Sequence, residues 1–128
     1  MKNRKIIPRL LIFFIVFLLL LSSSALASEK KYIEEWCKRN KGTTGYYIDG
    51  GSNIDCLTEE YAVEFEFAKK WPEAVGWALY YSIKTDKRPG IVLIIKDKED
   101  YAYLKKLLNV SETYDIQVWT IPQVIFVP

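Results

Sequence analysis

Three carboxylates set among apolar residues are the groups of this sequence most able to do chemistry. In the segment YAVEFEF, residues 61–67, the side chains of an extended strand alternate, so Glu64 and Glu66 fall on one face and Val63, Phe65 and Phe67 on the other. Two acids at i and i+2 in so apolar a strand are costly to bury without cations or hydrogen-bond donors. Asp55 lies in the preceding strand, and a hairpin from Asn53 to Phe67 brings it toward Glu64. Oxygen ligands grouped in this way suit Mg²⁺ or Mn²⁺. A second reading stays open, since alternating acids are also the pattern of a solvated sheet face.

The sequence contains no histidine. That excludes Ser-His and Cys-His catalysis, HExxH zinc sites and histidine proton shuttles. Two cysteines without histidine also exclude a four-ligand structural zinc site. What remains is chemistry run on carboxylates, lysines, tyrosines and a hard metal ion, with no pointer to an organic cofactor.

Glu73, Trp77, Tyr81 and Lys84 recur at helical spacing opposite a stripe of Val75 and Leu79. Acid, indole, phenol and amine in a row can border a cleft and stack on bases or sugars; equally, the rings can pack beneath a loop. Lys69 and Lys70 with Lys84, Lys87 and Arg88 mark the two ends of the same helix, either as a phosphate-binding patch or as solvated charges.

These groups need elements to position them. Residues 30–40 read as a helix with Ser28 as N-cap, Tyr32, Ile33, Trp36 and Cys37 as its apolar stripe, and Gly42 as its stop. Strands 46–49 and 53–58 flank the glycine-rich turn Asp49, Gly50, Gly51, Ser52, and strand 61–67 follows. Pro72 opens a helix to residue 84 with Val75, Ala78, Leu79 and Ile83 inward, and residues 87–90 break it. The unbroken apolar run 91–95 is a central strand covered on both faces. Asp97 caps a helix over 99–109 with Tyr101, Leu104 and Leu108 inward; a strand over 115–121 and an extended tail over 124–127 complete the chain. The order α-β-β-β-α-β-α-β predicts an α/β fold, a mixed central sheet flanked by helices, because helices between strands are the crossovers of parallel pairs.

The run IDCLTEEYAVEFEFAKKWPEAVGWALYY, residues 54–81, resembles the core of the PD-(D/E)XK nuclease superfamily, and more closely a group of small exported proteins within it. In that superfamily an Asp on one strand and a Glu on the next hold a divalent metal, with a Lys two residues after the Glu. Asp55 and Glu64 match the two acids, whereas Glu66 stands at the lysine position. Some members carry Glu there and others move the lysine to the neighbouring helix, where Lys69 or Lys70 would stand in. One branch adds a Gln-x-x-x-Tyr motif; that frame begins here at Trp77, so only Tyr81 is kept. The early helix often offers a further acid, for which Glu35 is the candidate. The resemblance implies a restriction endonuclease-like fold and Mg²⁺- or Mn²⁺-dependent phosphodiester hydrolysis in nucleic acid. Asp55 and Glu64 would be ligands, Lys69 or Lys70 would orient the attacking water, and Glu66 would be a third ligand or a base. Two alternatives stand beside it. One is a nuclease-like fold that has lost turnover and serves as an extracytoplasmic binding or envelope protein; the other is a partner-binding domain presenting Trp71, Trp77 and Tyr81.

Compartment bears on all three. Lys2, Arg4, Lys5 and Arg9 precede twelve apolar residues, 10–21, and the small-residue run Ser22 to Ala27. That order is the one a secretory signal shows, giving a signal over residues 1–27 and a single domain over 28–128, exported to a periplasmic or extracellular location. If it is not cleaved, the segment becomes an anchor and the chain's one link to a membrane. Four of the 18 Lys and Arg and none of the 16 acids lie in residues 1–27, leaving 14 against 16, a net charge of −2 for the exported part. No global positive field draws in nucleic acid, so affinity for phosphates needs a local patch or a metal. In an oxidising compartment Cys37 and Cys56 are expected to pair, closing a loop worth about 3 kcal/mol, the alternative being two buried thiols. Mass spectrometry of the extracytoplasmic fraction is expected to find a chain beginning at Ser28; recovery of only the full-length chain, and only from membranes, would establish the anchor instead.

Overall fold

The computed structural model of the chain describes residues 8–122 and, within them, the side chains of all but 21–28. Two units are distinguished, residues 1–32 and residues 33–128. Helix α1 (Arg9–Arg39) begins far earlier than residue 30. No glycine or proline interrupts residues 9–41, so nothing in the backbone stops the apolar segment from continuing the helix. In the first unit Leu10 and Phe13 are exposed, and among the described residues no helix is long and apolar enough to cross a membrane.

The second unit is an α/β fold built on a five-stranded mixed sheet. Strand β2 (Ser52–Leu57) pairs antiparallel with both β1 (Thr43–Ile48) and β3 (Tyr61–Phe67). Helix α2 (Trp71–Thr85) then crosses to β4 (Arg88–Ile95), and α3 (Tyr101–Tyr114) crosses to β5 (Gln117–Pro122), so that β3, β4 and β5 are parallel. The strands lie in chain order across the sheet. Gly50 and Gly51, both at positive φ (97° and 87°), make the hairpin turn that L side chains would resist.

Alternation assigns the two faces. Val63, Phe65 and Val92 pack with Trp36 and Cys37 of α1, while Ile91, Leu93 and Ile95 pack against Ala74 and Ala78 of α2 and Leu107 of α3. β4 is therefore buried on both sides, as its run of apolar residues requires. Gly90 lies in this strand rather than in a loop: a Cβ there would meet Trp119 Cζ3 at 2.9 Å.

Three expectations about helix faces and ends need correction. Ile83 is 80% exposed; Ala74, Ala78 and Tyr81 form the buried side of α2, the tyrosine having displaced the aliphatic residue from the stripe. On α3, Tyr101 and Leu108 are exposed, and Leu107 and Ser111 are buried instead. The sequence offers two overlapping stripes there, and packing of Leu107 against Ile91, Leu93 and Ile116 selects the other one; the helix itself runs over Tyr101–Tyr114 rather than 99–109. The extended tail over 124–127 lies outside the described residues.

Cys37 and Cys56 are joined, with Cα atoms 5.6 Å apart, and no free cysteine remains among the described residues. The bridge fastens α1 to β2 and is consistent with a non-reducing environment. It also explains Gly42. The residue that leaves the helix at positive φ is Lys41 (54°), while Gly42 donates to the Cys37 carbonyl at 2.9 Å. A Cβ on Gly42 would lie 2.5 Å from Cys56 Sγ and 2.7 Å from Cys37 Sγ, so the glycine is needed for close approach to the bridge. Replacing both cysteines by alanine is expected to cost about 3 kcal/mol in urea denaturation. Gly42→Ala should cost about 1–3 kcal/mol in the bridged protein and clearly less in the cysteine-free one, because the atoms it strikes are then gone.

Candidate active site

The site grows from a break in the sheet. Between β2 and β3 the ladder holds only Cys56 opposite Val63 and Leu57 opposite Ala62. Continued by one step, that register would set Asp55 beside Glu64. There the strands part, and the Asp55 carboxylate takes over, its Oδ2 accepting from the Phe65 backbone N–H at 2.9 Å. On the neighbouring edge strand, Thr44 faces Cys56 and Tyr46 faces Ile54, so the residue level with Asp55 is Gly45, at φ 61° and with open space where a Cβ would stand. The carboxylate is thus not screened from that side by a side chain.

The strand alternation that buries Val63 and Phe65 turns Glu64 and Glu66 to the face covered by α2. Asp55, Glu64 and Glu66 are all half-buried. Burial is the main force pushing Asp55 up to about 6; the hydrogen bond from Phe65 opposes it, and the charge of Glu66 adds to it. Glu66 is raised too, first by burial, against the donated Phe67 N–H at 2.9 Å and the charge of Lys70, and with a further push from Glu73. Tyr81 completes the group. Burial first, then the charges of Glu64 and Asp55, raise its phenol to about 12, and its hydroxyl donates to the Asn53 carbonyl at 3.0 Å.

The other residues singled out in the sequence separate into near and far. Lys70 acts on Glu66 and is exposed, as is Lys69; both lie in the 3₁₀ turn Ala68–Lys70 that leads into α2. Trp77 is 44% exposed and stacks on Tyr81 with ring centroids 5.5 Å apart, whereas Tyr81 itself is 4% exposed, so only the indole of this pair is open to a ligand. Glu35 is exposed on α1, whose neighbouring Trp36 and Cys37 pack on the opposite face of the sheet from Glu64 and Glu66. The basic group is not one patch. Arg88 pairs with Glu60 at 2.9 Å and Asp115 at 3.2 Å and covers the Tyr61 ring, and Lys87 Nζ donates to the Glu59 carbonyl at 2.5 Å. Lys84 lies over the Tyr80 ring, 5.7 Å from its centre.

Sequence reasoning missed the hairpin's contribution. Tyr46 and Tyr47, both exposed, line a hollow of about 430 Å³ together with Lys84 and Lys87. Their signal was two adjacent tyrosines on an edge strand with no apolar partner to bury them, which alternation alone does not reveal. Among the described residues no three His, Cys, Asp or Glu side chains are gathered closely enough to form a ready metal cluster. No family model, curated protein or solved structure matches the chain.

Asp55 has a measurable consequence without metal. Its folded-state pKa lies near about 6 and its ordinary value near 3.8, so between them the native state binds more protons than the unfolded one. Its favourable contribution is fully present below the ordinary value and is lost as pH rises through about 6, a fall on the order of 2 kcal/mol that Glu66 reinforces. Asp55→Asn, which keeps an acceptor for Phe65 N–H, is expected to flatten that slope and to stabilise the protein at neutral pH. Urea denaturation in chelator from about pH 4 to about pH 8 checks this, and an unchanged slope in the variant would place its origin elsewhere.

Proposed function

We propose that the protein is an exported, divalent-metal-dependent phosphodiesterase acting on nucleic acid, with a restriction endonuclease-like arrangement of its sheet. The observation that carries the reading is the half-buried Asp55 carboxylate where the β2–β3 ladder ends, held by Phe65 N–H and sensing Glu66, with Tyr81 sensing both Asp55 and Glu64. A half-buried carboxylate such as Asp55, whose pKa is driven up by burial and by the charge of Glu66, gains most from a cation. Two carboxylates suit Mg²⁺, which keeps several waters and takes only one or two protein ligands, and they serve Mn²⁺ equally. Asp55 and Glu64 would hold the ion. When bound, it would lower the pKa of water and offset charge on the scissile phosphate.

The chain's own groups supply the rest. Lys70, whose charge acts on Glu66, would meet a phosphate near the acids, with Lys69 beside it. Glu66, with its raised pKa, is suited to take a proton from the attacking water. Exposed Trp77 offers a face for a base or sugar, and the hollow bounded by Tyr46, Tyr47, Lys84 and Lys87 combines rings and ammonium groups in the way single-stranded nucleic acid favours. The N-terminal segment and the Cys37–Cys56 bridge support export.

A second reading has its own observation. Glu66 replaces a lysine, and its Oε1 is engaged by the Phe67 N–H, which favours a nuclease-like fold that binds without turnover. One set of measurements decides. Mg²⁺ or Mn²⁺ at a hundredfold excess over Kd is expected to stabilise wild type by about 2.7 kcal/mol and to leave Asp55→Asn and Glu64→Gln unmoved. Cleavage of single- or double-stranded DNA or RNA should follow the same pattern. Metal binding without cleavage would favour the inactive fold, with Glu66→Lys the change expected to bring activity; no metal-dependent shift and no cleavage would end the catalytic reading.

A further inference from the structure

A separate cavity lies on the α1 side of the sheet and plays no part in the chemistry above. Its volume is about 530 Å³, within the range usual for small-ligand pockets, and Trp36, Tyr61 and Trp119 line it with Glu59 and Glu60. The three rings are set at steep angles: Trp36 to Trp119 is 65° with centroids 5.1 Å apart, and Tyr61 to Trp119 is 86° at 5.2 Å. Trp36 is also braced edge-on by Phe65 at 5.5 Å, and it precedes the bridged Cys37. The two acids project from a fixed turn. Thr58 Oγ1 accepts from Tyr61 N–H at 2.8 Å and donates to the Tyr61 carbonyl at 3.2 Å, and Thr58 N–H donates to the same carbonyl at 2.9 Å. None of the described residues that line the cavity is basic.

We propose that this cavity binds an organic ammonium cation, specifically a linear polyamine. Aromatic faces attract cations through their quadrupoles, and carboxylates at the mouth add direct charge pairing. The protein already shows both contacts with a cation of its own, since the Arg88 guanidinium lies 5.1 Å from the Tyr61 ring centre and 2.9 Å from Glu60. A single compact ammonium head would use a small part of such a volume. A chain of methylenes bearing several amines fills it better, with methylenes against the indoles and ammonium groups toward Glu59 and Glu60. The same acids repel phosphate, which separates this site from the proposed nuclease centre and makes it independent of that reading.

Calorimetric titration of the full chain in a neutral detergent tests the proposal, with spermidine as probe, choline as a compact quaternary ammonium and octanediol as a neutral chain. Spermidine is expected to bind saturably, about tenfold tighter than choline, and octanediol not to bind. The double variant Glu59→Gln, Glu60→Gln, which keeps an acceptor at residue 60 for Arg88, should stay folded by circular dichroism and bind spermidine about tenfold more weakly. Arg88→Gln removes the internal competitor from Tyr61 and Glu60 and should tighten binding about threefold. No saturable uptake of spermidine, equal uptake of octanediol, tighter binding of choline, or indifference to the Glu59 and Glu60 changes would overturn it. So would an Arg88→Gln protein that melts as wild type yet binds spermidine no more tightly.

Discussion

The hairpin β1–β2 hangs from the rest of the sheet by two register pairs, Cys56 with Val63 and Leu57 with Ala62, and the disulfide sits on the first of them. So short a ladder gives little cooperative hold, whereas β3 and β4 share seven register pairs. The Cys37–Cys56 bridge supplies the missing constraint by tying β2 to α1, and α1 is in turn packed through Trp36 onto Phe65 of β3 and Trp119 of β5. The position of Asp55, one residue from Cys56, is thereby held by a covalent bond in addition to the pairing of β2 with β1 and the hydrogen bond from Phe65 N–H. Gly42 belongs to the same constraint, because the chain leaving α1 must pass directly beside the two sulfurs.

Parting of the strands carries an energetic cost that the protein offsets locally. Where β2 leaves β3, the Phe65 N–H loses a ladder partner, and a buried unpaired donor would cost about 1–3 kcal/mol. The Asp55 carboxylate takes it up, so one side chain both satisfies the backbone and brings charge into a half-buried place. The carboxylate's raised pKa is the residue of that compromise: burial outweighs the hydrogen bond that favours the charged form. A structural acid needs one such bond and nothing more. Asp55 has Glu66 and the Tyr81 phenol within electrostatic reach as well, and that phenol also senses Glu64, a concentration of acid that a purely structural role does not call for.

Much of this arrangement was legible in the sequence, and the parts that were not share a physical reason. The alternation of β3, the central character of 91–95 and the glycine turn at Gly50 and Gly51 are local signals, and they read directly as sheet, core strand and hairpin. Strand alternation placed Glu64 and Glu66 on one face, whereas Asp55 was drawn toward them only by the hairpin expected from Asn53 to Phe67. The helix faces were harder, because α2 and α3 each carry apolar residues around most of their circumference, and the choice between stripes is made by tertiary packing: Tyr81 enters the core in place of Ile83, and Leu107 in place of Leu108. Arg88 could not be distinguished from the lysines around it by sequence. Its capture by Glu60 and Asp115 joins the turn before β3 to the turn before β5, a relation that only the parallel order of β3, β4 and β5 creates.

β3 links the two candidate sites, and it does so through parity. Its even positions, Glu64 and Glu66, face α2 and the acid cluster; its odd positions, Tyr61, Val63 and Phe65, face the aromatic packing beneath α1, with Tyr61 at the mouth of the cavity. A slip of one residue would exchange the two sets, placing carboxylates among tryptophans and phenylalanine among acids, so the register is strongly specified from both sides at once. The pairing of Tyr61 with Arg88 at the first step of the parallel ladder holds that register at its open end, through backbone, ring and guanidinium together. A single strand thus sets the acid cluster on one face and the aromatic hollow rimmed by Glu59 and Glu60 on the other, with the sheet between them.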